Sequence, residues 1–478
     1  MKKCMLSCVV VVSLLIASSA VPQAQADVKL PKLIGSHMVL QRDRPLPIWG
    51  WADTGEEVTV TLDEAKATAK ADAQGNWKVV LPAVKADGKA HRMIVSGKNK
   101  IELEDILIGE VWLGSGQSNM SFRLSWSAGA AEAIAAANCP QIRLLNVGKA
   151  EAAEPAKDID IVVDGVGEKG KGKGKKGQPA PAAPAGPAWS ACTPETVPNF
   201  AAVLYFFGQR LNKELGVPVG LINSSKGGTS IESWSVSASA LKGGGRYNGM
   251  IAPLAPFAIR GVIWYQGEAN VADGLKYYDK TKALIEGWRH AWGQDFSFHI
   301  VQIAPWSGCK GSLPSLWEAQ AASLKIPGTG MVVTTDLVDA LKEGVHPKNK
   351  LDVGNRLALW ALAKDYGKKD LVYSGPLYKS MKVEGNKIRL SFAHVGGGLN
   401  SRDGKPLSEF GIAGADGKFV PAEATIDGDT VVVQAKEVAS PTQVRFGWRN
   451  VANPNLANKA GLPASPFQTN NWQGGTGE

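Results

Sequence analysis

The middle of the chain alternates short apolar runs with longer amphipathic segments, and this alternation narrows the choice of fold more than any other feature. Each run is four or five residues long and largely apolar on both faces, as in strands buried between two layers of helices. Strands joined by helices predict a parallel sheet covered on both sides. The runs are 110–114, 220–223, 261–265, 299–303 and 331–335, and the predicted helices are 200–215, 277–292, 315–324 and 351–366.

Both ends of the chain carry short segments in which apolar and polar residues alternate. Such segments, separated by turn residues, are typical of β-sandwiches. We therefore expect an α/β domain over residues 108–370, an N-terminal β-rich domain over 27–107 and a C-terminal β-rich region over 371–478.

The first 26 residues have the features of a secretory signal peptide. Lys2 and Lys3 precede an apolar stretch at 5–17, and Ala24-Gln25-Ala26 is typical of a cleavage site. We expect a mature chain that begins near Asp27 and is exported to the periplasm or the extracellular space, with a retained anchor as the alternative. Stable membrane insertion after cleavage is not expected, because no other apolar run in the sequence is long enough to span a bilayer.

A segment of low complexity interrupts the predicted α/β domain at about residues 150–188. Its Gly-Lys and Ala-Pro repeats cannot bury a core and predict a disordered insertion, with a polyanion-binding arm as the alternative. The net charge of +9 depends partly on residues 164–187 of this segment and on the leader, without which 46 basic and 42 acidic residues remain. Because the sequence has no basic stripe with interleaved aromatic residues, nucleic-acid binding is not expected.

Removal of the leader would leave three cysteines, which are Cys139, Cys192 and Cys309. Three thiols allow at most one disulfide, and a bridge between Cys139 and Cys192 would close the foot of the insertion. The sequence contains no Cys-x-x-Cys pair, so a structural zinc site is not expected.

Residues suited to catalysis follow the apolar runs, where ligands bind in parallel sheets. Ser118 follows a Gly-rich turn after the first run, although the G-x-S-x-G elbow is excluded because Met120 replaces its last glycine. Ser118 could present a nucleophilic hydroxyl or merely cap a helix. Gly227 and Gly228 follow the second run, and their amides could face an oxyanion or form a plain tight turn.

The later runs end in an amide, carboxylates and a histidine. Gln266 and Glu268 follow the third run, and Asp336 follows the fifth. Among six histidines, only His346 lies in a loop at the carboxyl end of a predicted strand, so it is the candidate general base for Ser118. The order Ser, Gly, amide, His along the chain is that of SGNH-type hydrolases.

Four motifs make the chain resemble the sialate O-acetylesterase family, to which acetyl xylan esterases are neighbours. The resemblance covers about residues 30–472 and includes the segment 462–467. It implies an SGNH-like core with a three-layer arrangement, flanked by the two β-rich regions. The motifs are 116–120, 227–234, 264–268 and 346–350.

The resemblance also implies site roles. Ser118 would attack the acetyl carbonyl and His346 would move the proton, without a metal or another cofactor. The oxyanion would be held by the backbone N–H groups of Ser118 and Gly228 and by the side-chain amide of Gln266. Substrate-binding residues are not determined, with Gln117, Asn119 and Trp234 as candidates.

The carboxylate that orients His346 has three candidates. Glu268 is the first choice, because acetyl xylan esterase relatives use the glutamate of this motif. Glu343 is the alternative, since it matches the Asp-x-x-His spacing of SGNH hydrolases with Glu in place of Asp. Asp336 is the third, although an aspartate at a strand end is often only a cap.

The expected partner is an O-acetylated carbohydrate, and the chain is interpreted as a serine esterase that deacetylates sugars. An esterase acting on xylan or another polysaccharide is an alternative that the residues do not separate from a sialate esterase. A non-catalytic glycan-binding protein is the competing class, in which Trp234, Trp264 and Trp448 would stack on sugars.

Overall fold

The computed structural model describes residues 27–161, 188–236, 244–338 and 344–469. The predicted leader, most of the predicted insertion and Glu343 lie outside these ranges. No helix within them is both long and apolar enough to cross a lipid bilayer.

The N-terminal region is a set of short strands whose alternate residues face a common core. In the strand Asn76–Leu81, for example, Trp77, Val79 and Leu81 are buried and their neighbours are exposed. The strands are β1 (Val39–Gln41), β2 (Leu46–Trp51), β3 (Glu57–Leu62), β4 (Ala65–Lys70), β5 (Asn76–Leu81) and β6 (Ala90–Ser96).

A single strand of 17 residues, β7 (Lys100–Gly116), joins this region to the central sheet. Its first half pairs with β6, and its second half lies in the parallel sheet. Burial along β7 changes from alternate to continuous at Ile106, as expected where a one-sided sheet becomes a two-sided one. The predicted domain boundary at 107/108 therefore falls inside a continuous strand, and both regions share one hydrophobic core.

The central region confirms the predicted parallel sheet and the four predicted helices, with shifts of one or two residues at their ends. Its strands run in the order β13-β12-β11-β7-β10-β8-β9, all parallel except β9. The strands are β8 (Cys139–Asn146), β9 (Ser190–Cys192), β10 (Val219–Ser225), β11 (Gly261–Tyr265), β12 (Ser297–Val301) and β13 (Thr329–Val332). The α-helices are α1 (Ala130–Ala135), α2 (Ala202–Leu215), α3 (Tyr277–Trp292), α4 (Leu313–Ala322) and α5 (Lys350–Lys364). Short 3₁₀ helices cover Leu124–Trp126, Ile231–Trp234, Ala252–Leu254, Glu268–Lys276 and Ser323–Lys325, and Tyr247–Ile251 is a π-helical turn.

Helices cover both faces of this sheet. Phe298 and His299, neighbours on β12, point to opposite faces. The ring of Phe298 lies 5.9 Å from Trp288 of α3, whereas His299 lies 6.5 Å from Trp360 of α5. Because α4 packs against α3 and α2 packs against α5, the three layers are complete.

The C-terminal region confirms the expected β-rich structure and has a hydrophobic core of its own. It contacts the α/β region through the hydrogen bond of 2.9 Å from Gln302 Nε2 to Ser465 Oγ, among other contacts. Its strands are β14 (Leu377–Glu384), β15 (Lys387–Ala393), β16 (Leu399–Ser401), β17 (Phe410–Ala413), β18 (Val420–Pro421), β19 (Glu423–Asp427), β20 (Thr430–Gln434), β21 (Gln443–Phe446), β22 (Leu456–Asn458) and β23 (Phe467–Gln468).

Part of the segment predicted to be disordered is ordered. Residues 150–161 pack on the α/β region, where the Ala152 N–H donates to Gly245 O and the Ala156 N–H to Asn248 O. Ile159 is fully buried. The prediction was wrong for this stretch because the segment was judged by its Gly-Lys and Ala-Pro repeats, which lie further along the chain.

Cys139 and Cys192 face each other across β8 and β9, as a disulfide would require, but both are free thiols in the structure. Burial raises the pKa of Cys192 to about 12, so its thiol is protonated near neutral pH. The bridge that the sequence left open is absent from the structure.

Candidate active site

Three adjacent strands of the parallel sheet end at one place. β7 lies between β10 and β11, and the chain connections leave these strands in opposite directions along the sheet, which is where α/β sheets open a crevice for ligands. Ser118 lies two residues beyond β7, the loop Lys226–Thr229 follows β10, and Gln266 follows β11. His346 reaches the same edge from the segment before α5.

A sharp turn after β7 presents Ser118. Gly116 has a φ of +131°, and a Cβ there would lie 2.2 Å from the carbonyl oxygen of Tyr265, so only glycine fits. The Gln117 N–H donates to Tyr265 O at 3.0 Å, and the Met120 N–H closes the turn on Gln117 O at 3.0 Å. The sequence therefore folds into a turn that leaves Ser118 partly exposed at the edge of the sheet.

The Ser118 hydroxyl is paired with His346. Its Oγ lies 2.8 Å from His346 Nε2. Burial lowers the pKa of His346 below its ordinary value, and the positive charge of Lys350 lowers it further. A neutral imidazole with its proton on Nδ1 can accept the hydroxyl proton at Nε2, so the pair is arranged as a nucleophile and its base.

The glycine loop after β10 contacts the turn that carries Ser118. A Cβ on Gly227 would lie 3.2 Å from Ser118 Cβ, so the glycine loop packs directly on the serine. The Lys226 N–H donates to Gly116 O at 3.0 Å and fixes that loop to the end of β7. Within the described ranges, neither the Ser118 N–H nor the Gly228 N–H has an acceptor. Backbone N–H groups without acceptors are the kind of donor that an oxyanion hole requires.

Gln266 does not contribute to this hole, contrary to the sequence-based prediction. It is fully buried, and its Nε2 donates to Gln117 Oε1 at 3.0 Å and to Asn270 Oδ1 at 2.8 Å. Its Oε1 accepts from the Tyr277 hydroxyl at 2.6 Å. Because both ends of the amide are bonded inside the protein, Gln266 connects the loops and has no donor left for a ligand.

A buried polar network lies beneath the Ser–His pair. Asn119 Nδ2 donates to Glu268 Oε1 at 2.5 Å and to Val345 O at 2.9 Å, while Asn119 Oδ1 accepts from Lys350 Nζ at 2.5 Å. The Lys350 ammonium also lies 4.8 Å from the centre of the Phe122 ring. No role was assigned to Lys350 from the sequence. Its position in the His346–Lys350 motif is the signal from which a role could have been expected.

The predicted partnership between Glu268 and His346 is absent from the structure. The Glu268 carboxylate points to Asn119, and no hydrogen bond or ion pair joins it to His346. Although some of the residue is accessible, Oε2 is buried and has no hydrogen-bond partner within the described ranges. Burial raises the pKa of Glu268, and hydrogen bonds and the charge of Lys350 oppose this effect.

Asp336 is also occupied elsewhere. Its two oxygens accept from Arg356 Nη1 at 2.8 Å and Nη2 at 2.6 Å, which is a bidentate ion pair that anchors α5. Of the three carboxylates considered for His346, this leaves Glu343, which lies outside the described residues.

None of the three candidate substrate-binding residues is accessible. Asn119 and Trp234 are fully buried, and Gln117 is 4% exposed. The Trp234 indole N–H donates to Thr229 Oγ1, so this side chain supports the glycine loop. Trp126, which was not among the candidates, is instead 54% exposed on the turn that follows the serine motif. Within the described ranges, no group of His, Cys, Asp and Glu side chains is arranged to hold a metal ion.

Comparison with known proteins identifies the family. A sequence model described as a carbohydrate esterase, sialic acid-specific acetylesterase, matches residues 108–363. Sialate O-acetylesterase of Pongo abelii is 30% identical, with 91% of each chain covered, and that of Homo sapiens is 31% identical over 76% of this chain and 75% of the human one.

Among solved structures, a carbohydrate acetylesterase from Xanthomonas citri is 39% identical. It superposes with a TM-score of 0.83 over 93% of this chain and 100% of that one. The chain therefore belongs to the sialic acid-specific acetylesterase family of carbohydrate esterases, and it is an esterase.

Proposed function

We propose that this protein removes O-acetyl groups from carbohydrates, with Ser118 as the nucleophile and His346 as the general base. The observation that carries the proposal is the contact of 2.8 Å between Ser118 Oγ and His346 Nε2, next to two amides without acceptors. The names of the similar proteins, sialate O-acetylesterase and carbohydrate acetylesterase, support the choice of substrate class.

In the first half of the reaction, His346 Nε2 takes the proton as Ser118 Oγ attacks the acetyl carbon. The carbonyl oxygen becomes an oxyanion that accepts from the N–H groups of Ser118 and Gly228. The imidazolium then protonates the sugar oxygen as the ester bond breaks, which leaves an acetylated Ser118. In the second half, His346 takes a proton from water, the hydroxide attacks the acetyl group, and acetate leaves as Ser118 regains its proton.

An imidazolium next to a developing charge needs an acceptor on its Nδ1–H. Glu268 and Asp336 are bonded to other groups, so neither serves in the arrangement described. We propose Glu343 for this role on its sequence spacing, three residues before His346.

The competing class, a glycan-binding protein without activity, is not favoured. Trp234 and Trp264 are fully buried and cannot stack on a sugar. The Trp264 ring packs at 6.3 Å from Trp234 and 5.9 Å from Trp288, which is a role in the core. Trp448, partly buried, lies 5.5 Å from the guanidinium of Arg445 in the C-terminal region.

The first prediction concerns the nucleophile. Ser118→Ala should fold normally yet lose about three or more orders of magnitude in kcat, because the attacking oxygen is removed. Acetate release from acetylated sialosides, xylan and pectin measures the loss and also ranks the substrates. Ser121→Ala, in the same turn, is the matched control and should keep its activity. Equal turnover by Ser118→Ala would contradict the assignment.

The second prediction concerns the partner of His346. Glu343→Gln should lower kcat by about two to four decades with little change in melting temperature, by analogy with triad orienters. Glu268→Gln should lower kcat far less, since a glutamine oxygen can still accept from Asn119. If Glu268→Gln lost most of its kcat while Glu343→Gln kept nearly all of it, Glu268 would be the partner of His346 and this proposal would be wrong.

The third prediction concerns pH. Only neutral His346 can act as the base, and its lowered pKa keeps it neutral to lower pH than an ordinary histidine. The acid limb of kcat/KM should therefore lie below pH 6.5, and Lys350→Met should move it to higher pH by removing a positive charge. Lys348→Met, which removes an exposed charge from the same loop, should leave the limb in place. If the acid limb of kcat/KM stayed in place in Lys350→Met, the charge of Lys350 would not affect the pKa of His346.

The fourth prediction concerns export. We infer that residues 1–26 direct the chain out of the cytoplasm and are removed, because a basic start, an apolar stretch and an Ala-x-Ala site follow one another. Protein recovered after expression of the full chain in a Gram-negative host should be in the periplasm or the medium and should begin near Asp27. Recovery of an uncleaved chain from the cytoplasm would contradict this inference.

A further inference from the structure

Trp126 is unusual among the apolar side chains of the structure because it is both large and exposed. Among the large hydrophobic residues of the described ranges that are exposed, it is the most exposed, at 54%, and the only aromatic one. Single exposed apolar residues are common, but an indole held in water beside a reactive site exposes area that a ligand could cover.

The indole lies on the rim of the candidate active site. Its ring centre is 5.7 Å from that of Phe122, at an angle of 83°, and Phe122 is in turn 6.3 Å from the imidazole of His346. Trp126 is therefore separated from the base by a single aromatic ring. A sugar whose acetyl group reaches Ser118 would extend over this part of the rim.

The backbone around Trp126 is fixed on both sides. The N–H groups of Leu124 and Ser125 donate to Phe200 O and Pro198 O, each at 2.9 Å. The Ala128 N–H donates to Lys348 O at 2.9 Å, which joins this turn to the loop that carries His346. The turn that carries Trp126 and the loop that carries His346 are thus connected by a backbone hydrogen bond.

One side of the ring is supported by a cation. The guanidinium carbon of Arg123 lies 5.0 Å from the centre of the Trp126 ring, and Arg123 Nη1 donates to Asn199 Oδ1 at 3.3 Å. A side chain that is already held in place loses little conformational freedom when a ligand covers it, so it binds at low entropic cost.

We propose that Trp126 is the platform on which a pyranose ring of the acetylated substrate stacks; this inference rests on the proposed function. The flat face of a pyranose presents C–H groups that carry partial positive charge, and the face of an indole carries partial negative charge. The hydroxyl groups at the edge of the sugar would remain in water. An acetyl group without a sugar would not reach the indole, so the platform acts on sugar esters and not on simple acetates.

The test compares two substrates in Trp126→Ala. With a mono-O-acetylated methyl pyranoside, kcat/KM should fall about tenfold or more, mainly through KM. With ethyl acetate, whose alcohol has no ring to stack on the indole, it should stay within about twofold. Trp126→Phe should restore part of the loss. Val80→Ala, which truncates a side chain of similar exposure on β5, is the control and should change neither rate.

The outcomes separate this inference from the proposed function. An equal loss on both substrates would show that Trp126 only supports the shape of the site, and an unchanged rate on both would show that the sugar does not contact it. A selective loss with longer acyl esters would instead indicate an acyl-chain groove. Each of these results overturns the platform, whereas activity retained by Ser118→Ala overturns the assignment of the nucleophile and leaves the substrate comparison in Trp126→Ala unaffected.

Discussion

The buried side chain of Asn119 sets the geometry of the site. It follows Ser118 directly, and it bonds to Glu268 beyond β11, to the backbone at Val345 and to Lys350 at the start of α5. Because Val345 precedes His346, one amide fixes the serine and the histidine relative to each other. Burying such a group is costly unless its partners are satisfied, so the network favours a single arrangement of these segments. That alignment is a large part of what an enzyme contributes to a reaction.

The same network sets the electrostatics beneath the site. Lys350 is fully buried, and its ammonium lies 4.8 and 5.2 Å from the ring centres of Phe122 and Tyr265. Its charge opposes the rise in pKa that burial causes at Glu268. The charge of Lys350 also lowers the pKa of His346, whereas desolvation raises the pKa of Glu268. The buried lysine thus helps to keep the base neutral, and it does so from a position that no substrate can reach.

The sequence was sufficient to predict the parallel sheet and the placement of Ser118 and His346 at one edge of it, because the ends of strands can be located from apolar periodicity. It was not sufficient for the direction of side chains in the loops. Gln266 and Glu268 do follow β11, yet Gly267 between them has a φ of +156°, and both side chains turn into the protein. No local pattern reports such a turn. The predicted boundary at 107/108 lies within β7 for a related reason, since one strand can change from an alternating to a continuous apolar pattern.

Side-chain amides and backbone amides have different functions in this site. The side-chain amides of Gln117, Asn119 and Gln266 are buried and bonded to the protein, so they hold the loops in place. Of the motif residues that the structure describes, the groups left to face a ligand are backbone N–H groups, the Ser118 hydroxyl and the His346 ring. Such groups recognise an acetyl ester but carry little information about the alcohol to which it is attached. Discrimination among acetylated sugars must then come from the rim, where contacts can differ between transition states without altering the reaction itself.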